Sequence, residues 1–230
     1  MARLLIFDTG GAACSVAVWA DGGVVAGRYE AMPRGQAERL LPMVEETLAA
    51  AGVAFGQLDA VGVTRGPGAF TGLRIGLAAA RGMALALDIP AIGITTFEAL
   101  AVRAPAGCVV AIDTKRNDFF CQRFGPGGTA AGEPEILGAA GAISQAAASS
   151  LPLISDSPAI AGGRTGPGGG RVPDASMAGP PRAAAFASLV AERHRAPGEG
   201  GPGAFDLPRP LYLRPPEARL PEARRPGQAR

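Results

Sequence analysis

The sequence predicts an α/β protein built from two unequal lobes. Three observations predict it. Residues 4–100 alternate short β-rich runs with helical runs. The run Val109-Val110-Ala111-Ile112-Asp113-Thr114 repeats the pattern of the opening Leu4-Leu5-Ile6-Phe7-Asp8-Thr9. After Gly125 the composition shifts toward glycine and proline. A lobe of three strands, helix, strand and helix, made twice, is the pattern of the actin-like ATPase (ASKHA, ribonuclease H-like) fold, whose lobes face each other across a cleft. The predicted boundaries are 1–104 for an N-terminal ribonuclease H-like lobe and 105–213 for a reduced, degenerate second lobe. Residues 214–230 form an Arg/Pro tail expected to be disordered.

The elements follow in order. Residues 4–8 read as a buried strand ending in Asp8-Thr9-Gly10-Gly11. Residues 14–20 and 24–29 are two β-rich runs around Asp21-Gly22-Gly23, a hairpin turn signal. Residues 36–51 form a helix with Ala37, Leu40, Leu41, Val44 and Leu48 on one face, Pro42 inside it, and Gly52 as its stop. Residues 58–64 make a fourth strand, followed by the tight Gly66-Pro67-Gly68 turn, where Pro67 fixes its own φ and glycine can take positive φ. Residues 70–87 are apolar all round, so a helix buried on most sides is expected. Gly72, Gly76, Ala80 and Ala84 recur every four residues as a flat stripe that lets another helix come close. A fifth strand at 90–94 leads to a short helix capped by Thr95.

The second lobe repeats this more sparsely. Strands are expected at 109–114, 119–124, 133–137 and 151–156, with helices at 139–149 and 182–195. Residues 162–181 and 197–208 read as Gly/Pro-rich loop, and Leu211-Tyr212-Leu213 as a short anchored run.

Composition narrows the function. The 230 residues are 18% charged and 47% hydrophobic, with a formal net charge of +2, so the chain is globular and its charge argues neither for nor against nucleic acid. Every basic residue except Lys115 and His194 is arginine, a sign of genomic base-composition bias. Cys14, Cys108 and Cys121 show no CxxC spacing, which fits a reduced, cytoplasmic setting; Cys14 and Cys108 lie in apolar runs, as small hydrophobes do. No signal peptide pattern precedes Asp8, and Arg74, Arg81 and Asp88 are expected to keep the long helix out of a bilayer. His194 stands alone near the end of a polar helix, so metal and Ser-His-Asp chemistry have no support. No catalytic residue and no metal ligand is assigned.

The candidates for a nucleotide or anion contact are Asp8, Thr9, Gly66, Gly68 and Thr71. Asp8-Thr9 and Asp113-Thr114-Lys115 end two strands at the cleft, where such turns hold phosphate and an Asp positions a metal. The other reading is that Asp8 and Thr9 end a strand with side-chain-to-backbone hydrogen bonds. The 66–68 turn could offer backbone N–H groups to an anion, or act simply as a corner that launches the next helix. The arginines of the tail, among them Arg209, Arg214, Arg219, Arg224, Arg225 and Arg230, could touch RNA phosphates or be solvated.

Several stretches resemble one family, the bacterial TsaB subunits of the machinery that makes threonylcarbamoyladenosine in tRNA. They are Ile6-Phe7-Asp8-Thr9 with Ala13-Cys14-Ser15-Val16-Ala17-Val18, Arg39-Leu40-Leu41-Pro42-Met43, and Gly93-Ile94-Thr95-Thr96. Most specific is Arg65-Gly66-Pro67-Gly68-Ala69-Phe70-Thr71-Gly72-Leu73-Arg74-Ile75-Gly76. Asp113 and Tyr212-Leu213-Arg214 also fit, and the resemblance is dense over 3–102. It implies an actin-like protein without catalysis of its own, a scaffold subunit that pairs with a metal-binding catalytic homologue, TsaD, and a small ATPase, TsaE. Together these transfer a threonylcarbamoyl group from an adenylate to the adenosine beside the anticodon of tRNAs reading codons that start with A. ATP or ADP and a divalent metal are then expected on the partner subunits and none on this chain. Pairing through the helices at 36–51 and 70–87 is implied, which makes Leu40, Leu41, Val44, Gly72, Ile75, Gly76, Ala79, Ala80, Met83 and Ala84 the expected interface. A homodimer is expected when the partner is absent. Gln36 stands where many relatives have His, and Gly10-Gly11 where many have a Ser/Thr-rich turn. The alternative function is a stand-alone enzyme on the same fold, an ATP-dependent transferase or kinase, or a protease as older family names suggest.

Overall fold

A computed structural model describes residues 2–157, 160, 179–196 and 208–214. Strand β1 (Leu4–Asp8) lies at the centre of a five-stranded sheet, because each of its residues is buried and apolar until Asp8. β2 (Ala13–Ala20) and β3 (Gly23–Ala31) run antiparallel to their neighbours. They meet at Asp21 and Gly22, both with positive φ, as a two-residue turn that matches strand twist requires. β4 (Ala60–Thr64) and β5 (Ala91–Ile94) add in parallel, giving the order β3-β2-β1-β4-β5.

Helices α1 (Gln36–Ala51) and α2 (Phe70–Leu87) cover one face of this sheet. Leu5, Phe7, Val16, Val61 and Val63 of the strands pack there with Leu40, Met43, Val44 and Leu77. Each such large side chain, once buried, stabilises the fold by roughly 2 kcal/mol. α1 runs unbroken through Pro42, which sits on its exposed side, where water can replace the hydrogen bond that proline removes. Gly52 ends it in the left-handed conformation, as expected of a C-terminal glycine. By length and composition α2 could cross a membrane, even with Arg74 and Arg81, yet a third of it is buried within this protein.

The second sheet has the order β8-β7-β6-β9, formed by β6 (Cys108–Asp113), β7 (Phe119–Phe124), β8 (Glu135–Leu137) and β9 (Leu153–Ser155). Read from its first strand, this is the same arrangement as β3-β2-β1-β4, so the repeat of the 4–9 pattern at 109–114 marks a true structural duplication. α4 (Ala139–Ser149) covers one face, through Ala142, Ile143 and Ala146. On the other face lies α3 (Thr96–Ala101), whose Phe97 and Leu100 pack with Val110, Ile112 and Phe124. Thr95 and Glu98 close the start of α3 as a reciprocal capping box.

One boundary needs correction. Helix α5 (Ala183–Arg195), placed by its sequence position in the second lobe, packs on the first. Ala183, Phe186, Ala187 and Val190 bury against Leu4, Ile6 and Ala17 on the face opposite α1 and α2. A five-stranded sheet has two apolar faces, and α1 and α2 can cover only one of them. The lobes are therefore not the consecutive blocks 1–104 and 105–213. The expected tail beyond residue 214, and most of the 162–181 and 197–208 loops, lie outside the described residues.

Candidate functional site

A cleft of about 620 Å³ opens between the lobes. Gly10, Gly11, Pro67, Gly68 and Phe70 line it from the first sheet's side. Asp113, Thr114, Lys115, Phe120 and Asp156 line it from the second, and Leu211 to Arg214 cross it. Both strand ends singled out in the sequence thus reach the same cleft, but in different ways.

On the first side the polar groups turn inward. Asp8 is fully buried. Its Oδ1 accepts hydrogen bonds from the Thr64 hydroxyl and, at 3.3 Å, from the Gly10 amide. Its Oδ2 has no partner. Burial pushes the Asp8 carboxyl up to about 6, opposed by those two bonds and helped by the nearby negative charge of Asp156. Thr9 is also buried, and its hydroxyl donates to the Gly72 carbonyl at 2.7 Å. The Gly10 carbonyl accepts from the Ala69 amide at 2.8 Å. Gly68 lies so close that an added Cβ would meet the Gly10 oxygen at 2.7 Å. The 66–68 turn is therefore folded back onto the end of β1. Its Gly66 carbonyl accepts from the Thr96 amide at 2.8 Å, and Gly66 holds φ +111. Thr71 faces a second, smaller pocket with Thr9, Arg34 and Gln36. The five candidates for an anion contact are neighbours in space, but the bonds that Asp8, Thr9 and the Ala69 amide form are internal.

On the second side the groups stay open. The Lys115 amide and ammonium donate to Asp113 at 2.7 and 2.9 Å. Lys115 and Asn117 both hold positive φ in the turn that joins β6 to β7. Asp156, just past β9, accepts from the Asp113 amide at 2.8 Å. Burial raises its carboxyl to about 6, against that hydrogen bond and the pull of Lys115. Asp156 and Phe120 escaped the sequence reading, which placed Tyr212 in an anchored run but not in the cleft. The signal for Asp156 was an acid at the end of the strand that pairs in parallel with β6. Among the described residues, no group of three or more His, Cys, Asp or Glu could hold a metal ion. Burial pushes the Cys14 thiol up to about 11 and those of Cys108 and Cys121 to about 12, so all three are inert hydrophobes. His194 is half-buried in the last turn of α5 with Arg193 and Arg195.

The interface expected on α1 and α2 divides. Leu40, Val44, Gly72, Gly76, Ala80 and Ala84 are buried inside the lobe. The small-residue stripe does admit a close neighbour, but that neighbour is the protein's own sheet. A Cβ on Gly72 would lie 2.1 Å from the Thr9 carbonyl, and one on Gly76 would lie 2.7 Å from the Thr9 hydroxyl. A periodicity shows that a face is flat and is silent on what lies against it, so the stripe is not a partner surface. Leu41, at 51% exposed, and the half-buried Ile75, Ala79 and Met83 do reach the outside. Leu85, at 80% exposed, is another outward-facing residue of α2 and was not predicted.

Residues 20–145 match the family described as TsaD, tRNA N6-adenosine threonylcarbamoyltransferase. The chain belongs to this family. Within it the chain is similar to tRNA threonylcarbamoyladenosine biosynthesis protein TsaB of Escherichia coli (strain K12), with 44% identity over 127 residues, 53% of this chain and 54% of that protein. TsaB of Haemophilus influenzae is 38% identical over 122 residues, 51% of each chain. The chain spans about half the length of these curated relatives. A solved Pseudomonas aeruginosa structure described as similar to the peptidase YeaZ superposes with TM-score 0.76 at 33% identity, covering 93% of this chain and all of that one. A second structure, YeaZ from the same organism, gives TM-score 0.71 at 31% identity with the same coverage. The protein is thus TsaB/YeaZ-like, and its two sheets share the repeated strand order that the sequence pattern at 4–9 and 109–114 predicts.

Proposed function

We propose that this protein takes part in making threonylcarbamoyladenosine in tRNA, as a non-catalytic scaffold subunit that pairs with a TsaD-like catalytic homologue and works with a TsaE-like ATPase. The assembly transfers the threonylcarbamoyl group from an adenylate to the adenosine beside the anticodon of tRNAs reading codons that start with A. The observation that carries the scaffold reading is the set of large apolar side chains that the helix pair leaves at the surface, Leu85 at 80% and Leu41 at 51% exposed, with Ile75, Ala79 and Met83 half-buried. The inward bonding of Asp8, Thr9 and Gly10 supports a subunit that leaves ATP and its divalent metal to its partners. The setting is cytoplasmic, and without its partner the protein forms a homodimer through the same residues.

The test is reconstitution of tRNA modification with the catalytic homologue, the ATPase, tRNA, threonine, bicarbonate, ATP and the adenylate-forming enzyme. Modification is expected only when this chain is added, and equal yield without it rules the proposal out. The double substitution Leu41→Ser with Leu85→Ser locates the surface. It is expected to weaken pairing by roughly tenfold or more, as the loss of two buried leucine contacts implies, while leaving the melting temperature of the lone chain nearly unchanged. The stand-alone kinase or transferase reading instead requires tight ATP-magnesium binding by the isolated chain, which calorimetry would detect.

A further inference from the structure

The short segment at 208–214 has partners in both lobes. Pro208 is buried, and its carbonyl accepts from Arg81 of α2 at 2.7 Å. The Leu211 amide donates to the Arg65 carbonyl at 2.7 Å. Tyr212 stacks with Phe70 at the start of α2, ring centres 5.4 Å apart. Arg74 donates to the Tyr212 hydroxyl at 3.3 Å and lies 3.8 Å over the Phe70 ring. One residue later the chain is in the other lobe. Leu213 packs with the cluster of Val110, Ile112 and Phe124, and Arg214 donates to Asp118 Oδ2 at 2.6 Å, with its guanidinium 5.8 Å from the Phe120 ring centre.

The first lobe makes room for this crossing. A Cβ on Gly66 would meet the Leu211 carbonyl at 2.7 Å, and one on Gly93 would meet Pro208 at the same distance. At the far end, the Thr114 hydroxyl donates to Asp118 and so ties the receiving turn to the cleft wall. Four residues, 211–214, also line the cleft.

We infer that residues 208–214 are an interlobe clasp: they hold α2 of the first lobe to the β6–β7 turn of the second and thereby set the width of the cleft. Apart from the clasp, two stretches meet both sheets: α3, through Ala99 on one and Phe97 and Leu100 on the other, and 179–183, where the Gly179 amide donates to the Ser155 carbonyl of β9 and the Ala183 amide to the Ser15 hydroxyl of β2. α3 serves as the pivot and the clasp as the tie across the opening. A displacement of α2 is then passed to the turn at 114–118 without any direct contact between them. This inference concerns the isolated chain and stands independently of the scaffold role.

The test cuts the clasp at either end in the full chain. Arg214→Ala frees the second-lobe end. Arg74→Ala with Arg81→Ala and Tyr212→Ala loosens the first-lobe end by removing the Tyr212 stack on Phe70 and the Arg81 bond to the Pro208 carbonyl. Amide hydrogen exchange of residues 113–120 is expected to speed up by roughly tenfold in both variants, as local opening grows easier. Nitroxide labels at Arg34→Cys and Asn117→Cys, one on each lobe, are expected to give a longer and broader distance distribution. The buried native cysteines resist labelling, and circular dichroism confirms that each variant is folded. If the Arg74/Arg81/Tyr212 variant leaves exchange at 113–120 and the label distances unchanged, the clasp is overturned, whatever Arg214→Ala does.

Discussion

The two lobes share a strand order and part company at the tip of their first strand. In the first, β1 ends in Asp8 and Thr9, and α2 returns directly over them on Gly72 and Gly76. In the second, β6 ends in Asp113, and the turn after it stays at the cleft, with the Lys115 side chain 75% exposed. Helix α4, which precedes β9 as α1 precedes β4, has Gly141, where a Cβ would meet only the Leu137 side chain, at 3.4 Å. The difference comes from backbone approach. A helix that starts with glycines can settle on a strand end and absorb its polar groups, whereas the acid that ends β6 is answered by Lys115 from its own exposed turn.

The largest expected effect follows from this approach. Gly72→Ala places a methyl against the Thr9 carbonyl, a backbone atom that cannot swing aside, and is expected to cost about 3 kcal/mol or more in urea unfolding. Gly141→Ala is expected to be neutral or to stabilise by up to about 1 kcal/mol, since alanine is the better helix residue. Equal losses at the two glycines would refute the close backbone approach assigned to Gly72.

The buried carboxylates come next. Asp8 and Asp156 both have folded pKa values raised to about 6. A raised carboxyl binds its proton more tightly in the folded state, so its neutral form favours folding at low pH. That advantage fades as pH climbs from about 4 to about 6. The chain is therefore expected to gain stability on acidification from pH 7 to about 5. Below about 4 it should lose stability again, as Glu30, Glu46 and Asp118, whose pKa values are lowered chiefly by hydrogen bonds from Arg39, Arg39 and Thr114, become protonated. Asp8→Asn should remove about half of the gain, on the order of 1 kcal/mol, because the two carboxyls are raised alike. Thermal melts across this pH range decide it, and a flat profile for the native chain would refute the assignment. The smallest effect is expected in the open turn. Lys115→Ala breaks an exposed ion pair with Asp113 and should change stability by less than about 1 kcal/mol.

Much of this was legible in the residues. The Leu4–Asp8 pattern, its echo at residues 109–114, the Asp21-Gly22 turn, the Gly52 stop and the Thr95 cap all announce themselves within a few residues. Local chemistry decides them: strand alternation, positive φ and the orphan N–H groups of a helix start. The approach of Asp8, Thr9, Gly66, Gly68 and Thr71 to one another also follows from strand ends and turns. What escaped were decisions that join distant stretches. Asp156 is a cleft residue only because β9 pairs beside β6, and Tyr212 only because the chain crosses back over α2.

The sequence by itself determined that there are two lobes of one architecture, that a glycine-proline turn launches α2, and that the family is one concerned with tRNA threonylcarbamoyladenosine. Only the tertiary structure decided which side of α2 faces the sheet, which lobe receives α5, and what closes the cleft. Periodicity marks an apolar or flat face without naming its neighbour. The neighbour depends on which other surfaces remain to be covered once the sheets have formed. The stripe at Gly72, Gly76, Ala80 and Ala84 belonged to the strand end that needed covering, and Leu85 and Leu41 were left exposed.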